Sequence, residues 1–97
     1  MRIEILDKAE GDLVDGFRFY ESHEPGLGAY FLDSLYSDID SLTVYAGIHR
    51  VVYRHYHRLL SHRFPFAVFY TLDRDVVRVH AVVDCRRDPS WIRRHLK

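Results

Sequence analysis

Apolar positions recur along this chain with two periods. Over residues 58–89 the period is two: β-branched and aromatic residues fill 66–70 and 76–83, the composition of a pleated, half-buried surface. Three consecutive strands are expected, over 58–63, 66–72 and 76–83. Asp73, Arg74 and Asp75 supply the polar break of a hairpin, and Phe64-Pro65 separates the first two strands, because proline cannot donate to a ladder and holds its predecessor extended. Alternation in the last strand puts Val77, Val79, Ala81 and Val83 on one face and Arg78, His80 and Asp84, with Val76 and Val82, on the other. A slip of one residue would bury an arginine and a histidine, so the first set is expected to face the core and the second to be at least partly wet.

Residues 2–6 alternate as a short strand with Ile3 and Ile5 on one side, and from there the period becomes helical. Asp7 reads as an N-cap with Glu10 at capping-box spacing, and Ala9, Leu13, Phe17 and Tyr20 draw an apolar face over about 8–22. Gly11 and Gly16 weaken that helix by propensity, so packing must hold it. After the break at Glu24-Pro25-Gly26-Leu27-Gly28, the positions Leu27, Phe31, Leu35, Ile39 and Leu42 form a continuous stripe over about 27–46. Tyr30, Leu32 and Tyr45 widen it, and Asp33, Asp38 and Asp40 mark a wet side. Gly47 ends the helix. The short connection makes the two helices an antiparallel hairpin whose partner is the Val77 face of the sheet. Val51, Val52 and Tyr53 read as an edge strand or an extended arm. Asp88-Pro89 reads as N-cap and first helical residue of a short basic helix carrying Trp91, Ile92, Arg93, Arg94 and Leu96. The expected fold class is α+β: a small, mostly antiparallel twisted sheet with an N-terminal strand, a helical hairpin packed on one face and a short C-terminal helix, all in one domain over residues 1–97.

Composition narrows the class. A hydrophobic content of 47% with 14% aromatic excludes a disordered chain, and no apolar run approaches the roughly 20 residues of a membrane span. Charges inside 1–7 exclude a signal peptide's apolar region, and the single Cys85 cannot close an internal disulfide, so a cytoplasmic location is expected. The net charge of zero conceals a division: residues 1–48 hold three basic and ten acidic side chains, residues 49–97 eleven and four. Six of the seven histidines also lie in the second half. Either acidic helices and a basic sheet neutralise each other, or the basic half offers a face to an anionic partner, nucleic acid or acidic peptide.

Motifs that announce an enzyme are missing: there is no Gly-rich phosphate loop, no nucleophile elbow and no Cys/His pair at zinc spacing. His55-x-His57 has no further ligand spaced to join it, so no metal and no cofactor are expected. Arg86 and Arg87 beside Cys85 favour its thiolate, but a lone cysteine ending a buried strand is more often packing than nucleophile.

The element order, together with Glu24-Pro-Gly-Leu-Gly28, Arg58-x-x-x-x-Arg63-Phe-Pro-Phe-Ala-Val-Phe-Tyr70 and Arg86-Arg-Asp-Pro89, resembles the RelE/ParE superfamily of bacterial toxins, in particular its ParE-like plasmid-stabilisation branch. The resemblance covers nearly the whole chain. It implies the toxin of a type II toxin–antitoxin module, neutralised by a cognate antitoxin whose tail wraps it. It further implies contact with DNA gyrase, with no chemistry of its own. The alternatives are a RelE-type ribosome-dependent messenger-RNA endonuclease or a non-toxic, antitoxin-binding relic.

The site residues follow from that resemblance and from strand parity. Compared with the endonuclease toxins, Arg58 and Arg86 or Arg87 match basic positions, whereas Leu60 and Ala67 stand where those toxins carry a lysine and an arginine, and no tyrosine matches their C-terminal one. No catalytic residue is therefore assigned on the leading reading. On the nuclease reading the set is Arg58, His62, His80 and Arg87. By parity Arg58 and His62 share one strand face and Arg78 and His80 another, a basic groove or simply the solvated side of a one-faced sheet. Arg58 and Arg78 are the expected antitoxin contacts. Arg86, Arg87, Trp91, Arg93 and Arg94 gather positive charge beside an aromatic anchor and form the expected target-binding rim.

Overall fold

A computed structural model of the chain describes residues 1–96. The elements run β1 (Arg2–Ile5), α1 (Asp7–His23), α2 (Leu27–Asp40), α3 (Leu42–Tyr45), a 3-10 turn (Ala46–Ile48), β2 (Val51–Tyr53), β3 (Tyr56–Leu60), β4 (Phe66–Asp73), β5 (Val76–Asp84) and α4 (Pro89–His95). The strands form one mixed sheet in the order β1-β5-β4-β3-β2, with β1 parallel to β5 and the other pairs antiparallel. This is the expected α+β architecture, and 51–53 is an edge strand.

The helical hairpin covers one face. Ala9 and Leu13 of α1, Phe31, Leu35 and Ile39 of α2, and Leu42 pack on Leu59, Phe66, Val68, Tyr70, Val77, Val79 and Val82, with Ile3 and Ile5 at the margin. Two glycines let the helices close. A methyl on Gly16 would run into the Phe31 ring, and one on Gly28 would lie 2.8 Å from the Phe17 carbonyl. Gly16 is thus a packing position rather than the weakness its propensity suggests. At the turn Gly26 has φ 90°, a left-handed conformation that glycine adopts without cost. The Glu21 carboxylate accepts from the Gly26 and Gly28 amides at 3.1 and 3.0 Å, satisfying donors at the start of α2.

Several local expectations are corrected by tertiary contacts. Asp7 is the first helical residue and makes no cap bond; Leu6 holds the cap position, and Asp7 contributes only an acid in the first turn. The second helix ends at Asp40 and resumes as α3 after Ser41. Tyr30 and Tyr45 are about half exposed and do not widen the stripe. Asp38 is buried, not wet. The third-from-last strand spans Tyr56–Leu60 instead of 58–63, which leaves His62 in the following turn and off the face of Arg58.

The register of β5 changes within the strand. Tyr70 pairs with Val79 and Phe69 with Ala81, so His80 is an extra residue, a bulge that reverses parity. Val82, opposite Val68, therefore joins Val77 and Val79 under the helices, while Ala81 and Val83 turn to the other face. That second face is not simply solvated. Tyr56, Ala67, Phe69, Ala81 and Val83 form a second apolar cluster with buried Leu96, flanked by Tyr53, Trp91 and Ile92, so α4 closes part of it.

Candidate interaction surfaces

On the α4 face, Arg58 stands opposite Phe69 and Arg78 opposite Thr71, and directly opposed residues share a side of the sheet. His80 joins them, its Nε2 2.8 Å from Thr71 Oγ1 and its ring edge-on to Tyr56. Burial lowers the His80 pKa, and His55 and Arg78 add to that by repulsion. Arg78 is already paired, with Asp73 at 3.1 Å and Glu4 at 3.4 Å. His62 does not join this group: its Nδ1 lies 2.7 Å from the Asp38 carboxylate. His55 sits in the β2–β3 turn and stacks on Tyr56, whereas His57 stacks on Tyr70 beneath the helices, so the two do not converge. Among the described residues no group of three or more His, Cys, Asp or Glu side chains is placed to hold a metal ion.

The C-terminal rim is organised by α4. Asp88 caps it by accepting from Ser90 N at 3.1 Å, with Pro89 in the first turn, as the Asp-Pro pair implies. Arg87 lies over the Trp91 ring, 4.2 Å from its centroid, and His95 stacks on Trp91 at 4.7 Å. Arg93 and Arg94 are exposed. Arg86 is committed to Asp84 through bonds of 2.6 and 2.9 Å, which hold the Asp84 carboxyl below its ordinary range. Partial burial pushes the Cys85 thiol up and outweighs Arg58 and Arg86, so the thiolate favoured by sequence neighbours is not favoured in the fold.

Two contacts far apart in sequence tie α4 to α1. His95 Nε2 reaches the Asp12 carboxylate at 3.0 Å, and Asp12 also accepts the Val82 amide of β5 at 3.0 Å, satisfying an edge donor that lies beyond the end of β1. The Lys8 amine donates to the His95 carbonyl. A pocket of about 380 Å³ lies between α1, β5 and α4, lined by Gly16, Phe19, Phe66, Asp15, Arg87 and Trp91 among others. No sequence spacing signals the Asp12–His95 pair, whose members are 83 positions apart. Asp38 was findable: it lies seven residues after Phe31 and three after Leu35, inside the buried stripe by angle.

The chain thus has the α+β architecture of RelE/ParE-like proteins. No family model matches it, and no curated protein matches it. Among solved structures it is similar to a chain of the chromosomal ParDE TA system from P. aeruginosa, with a TM-score of 0.79 and 15% identity over 87% of this chain and 95% of that one. The fold is ParE-like. No helix among the described residues is long and apolar enough to cross a membrane.

Proposed function

We propose that this chain is the toxin of a type II toxin–antitoxin module, silenced in the cytoplasm by a cognate antitoxin and acting by protein contact on DNA gyrase. The observation that carries the absence of chemistry is one cross-strand pair. Leu60 and Ala67 stand directly opposite each other beside Arg58, and Ala67 is buried. These are the two positions where the resembled nucleases hold cations, and here they are apolar. Cleavage by 2′-hydroxyl attack needs a base, an acid and a cation around one phosphate. Arg58 and His80 share a sheet face, but His62 is turned to Asp38 and Arg87 lies on Trp91 at the rim, so the four do not surround one point. The ParDE description of the similar structure supports the toxin–antitoxin setting.

Target contact is assigned to the rim of Arg87, Trp91, Arg93 and Arg94, with Arg86 behind its pair with Asp84. Antitoxin contact is assigned to Arg58 and to Arg78, which would exchange Asp73 or Glu4 for an antitoxin carboxylate. The test is a supercoiling assay with purified gyrase, run beside primer extension on translated messages from induced cells. Inhibited supercoiling with intact messages is expected. Codon-phased cuts lost in a folded His80→Ala or Arg58→Ala variant would overturn it in favour of the endonuclease. Antitoxin binding without either effect would mark a relic.

A further inference from the structure

α2 carries a polar stripe that is partly buried. Ser34, Ser37, Asp38 and the cap residue Ser41 fall within about 100° of the helix circumference at 3.6 residues per turn. Ser34 is 4% exposed and Asp38 7%. The stripe lies against the turn between β3 and β4, where the Asp38 carboxylate holds Ser61 and His62. A buried serine inside a helix can satisfy its hydroxyl on the carbonyl four residues back. Ser34 does not: its Oγ is the one buried side-chain polar atom among the described residues with no hydrogen-bond partner. An enclosed donor of this kind disfavours the fold unless something supplies an acceptor.

A recess of about 300 Å³ opens at this place, lined by Ser34, Ser37, Asp38, Ser41, His62 and Arg63. Some of its polar groups are already committed. Ser41 Oγ donates to the Asp38 carbonyl at 2.6 Å, and the Asp38 carboxylate is engaged by Ser61 Oγ, the His62 amide and His62 Nδ1. The groups with capacity left are the Ser34 hydroxyl, the exposed Ser37 hydroxyl and the exposed Arg63 guanidinium. Arg63 lies 5.8 Å from the Tyr30 ring centroid and, among the described residues, makes no ion pair. His62, with Nδ1 committed to Asp38, keeps Nε2 for a further partner. Unused donors and one free cation border the same volume, while its single carboxylate is bonded to the turn. That combination selects an oxyanion.

We propose that this recess binds a phosphate group, either free or as the end of a small phosphomonoester. Arg63 supplies the charge and Ser37 donates from the helix. The Ser34 hydroxyl, which has no bond to break, turns about χ1 to donate from below. An imidazolium at His62, steadied through Nδ1 by Asp38, donates from Nε2. At about 300 Å³ the recess is at the lower end of the range of small-ligand sites, which suits a phosphate with a small organic group beside Tyr30. The inference rests on nothing in the toxin reading.

The experiment is an amide-resolved NMR titration of the whole chain with inorganic phosphate and, separately, a nucleoside monophosphate, with ionic strength held constant by chloride. Saturable shifts centred on Ser34, Ser37, His62 and Arg63 are expected. Arg63→Gln should weaken binding about tenfold or more, and Ser34→Ala should weaken it while leaving the melting temperature without anion no lower than before. Equal affinity for the two probes would support the site and make free phosphate its ligand; tighter binding of the monophosphate would support it and make the ligand an ester. A lowered melting temperature in unliganded Ser34→Ala would show that the hydroxyl is already satisfied, by an internal water or a helix carbonyl, and would overturn the proposal. So would shifts that grow linearly with phosphate, shifts unchanged in Arg63→Gln, or saturable binding of magnesium in place of phosphate, which would mean that the Asp38 charge governs the recess.

Discussion

Asp38 on α2 holds His62 in the turn after β3, carboxylate to imidazole at 2.7 Å, with the Asp38 side chain 8% exposed and that of His62 79%. Ser61 Oγ and the His62 amide donate to the same carboxylate at 2.8 and 3.3 Å. The buried partner therefore carries several bonds and the exposed partner one. Asp38→Ala should cost about 2–3 kcal/mol, because it removes the one charged acceptor shared by three part-buried bonds, whereas His62→Ala should cost under about 1 kcal/mol. Urea denaturation of the two variants checks this. Equal losses would mean that the imidazole, not the turn, is what Asp38 stabilises.

The helix crossing predicts opposite signs for two identical substitutions. Nothing lies within 4 Å of a methyl placed on Gly11, so Gly11→Ala should stabilise by about 0.5–1 kcal/mol through helix propensity. Gly16→Ala drives a methyl into the Phe31 ring and should destabilise by about 1–3 kcal/mol. Thermal melts of both variants suffice. Stabilisation by Gly16→Ala would show that the helices separate at no cost.

Stability should fall on both sides of neutrality for different reasons. Burial lowers His80 from its ordinary 6.5, and burial followed by repulsion from His57 lowers His49. The unfolded chain therefore binds protons that the fold refuses, and stability is lost as pH drops through and below about 6.5. On the alkaline side burial raises Tyr70 from 10.0 to about 12, so the unfolded chain ionises first and stability falls as pH rises above 10. His80→Gln should flatten the acid slope of the melting temperature. Tyr70→Phe should remove the alkaline slope while costing about 1–3 kcal/mol at pH 7, since it leaves the buried Ala46 carbonyl unpaired. An acid slope unchanged by His80→Gln would place the titration elsewhere.

The terminal helix is part of the core as well as of the proposed rim. Leu96 is 6% exposed, and Tyr56 donates its hydroxyl to the Leu96 carbonyl at 2.8 Å. Leu96→Ala should cost about 2–4 kcal/mol. Ending the chain after Asp88 should lower the melting temperature sharply by uncovering Tyr56 and Phe69. Toxicity tests of the rim need Arg93→Glu and Arg94→Glu, which change exposed charge alone, with circular dichroism to confirm an unchanged fold.

Element order was legible along the chain because its signals are local. The helical stripe through Phe31, Leu35 and Ile39, the proline before Phe66, the Asp73–Asp75 break and the Asp88-Pro89 cap each act within a few residues. Together they specify a hairpin of helices against a sheet. What the sheet does with its second face was not legible. The bulge at His80 exists only because β4 pairs with β5 in a particular register, and it sends Ala81 and Val83 to the side where Leu96 can cover them.

The candidate sites divide in the same way. The chain alone determined that its second half is basic, that Arg58 lies on a strand beside Leu60, and that an aromatic anchor sits among arginines near the end. Only the tertiary structure decided which of those charges are free. Arg78 and Arg86 are paired by carboxylates, and His62 is held by Asp38 24 positions away. Arg50 and Arg58 meet at an open ladder because β2 leaves β3 early. A charge's local sequence sets its sign, but its partners come from strand register and helix packing, and those are properties of the assembled sheet.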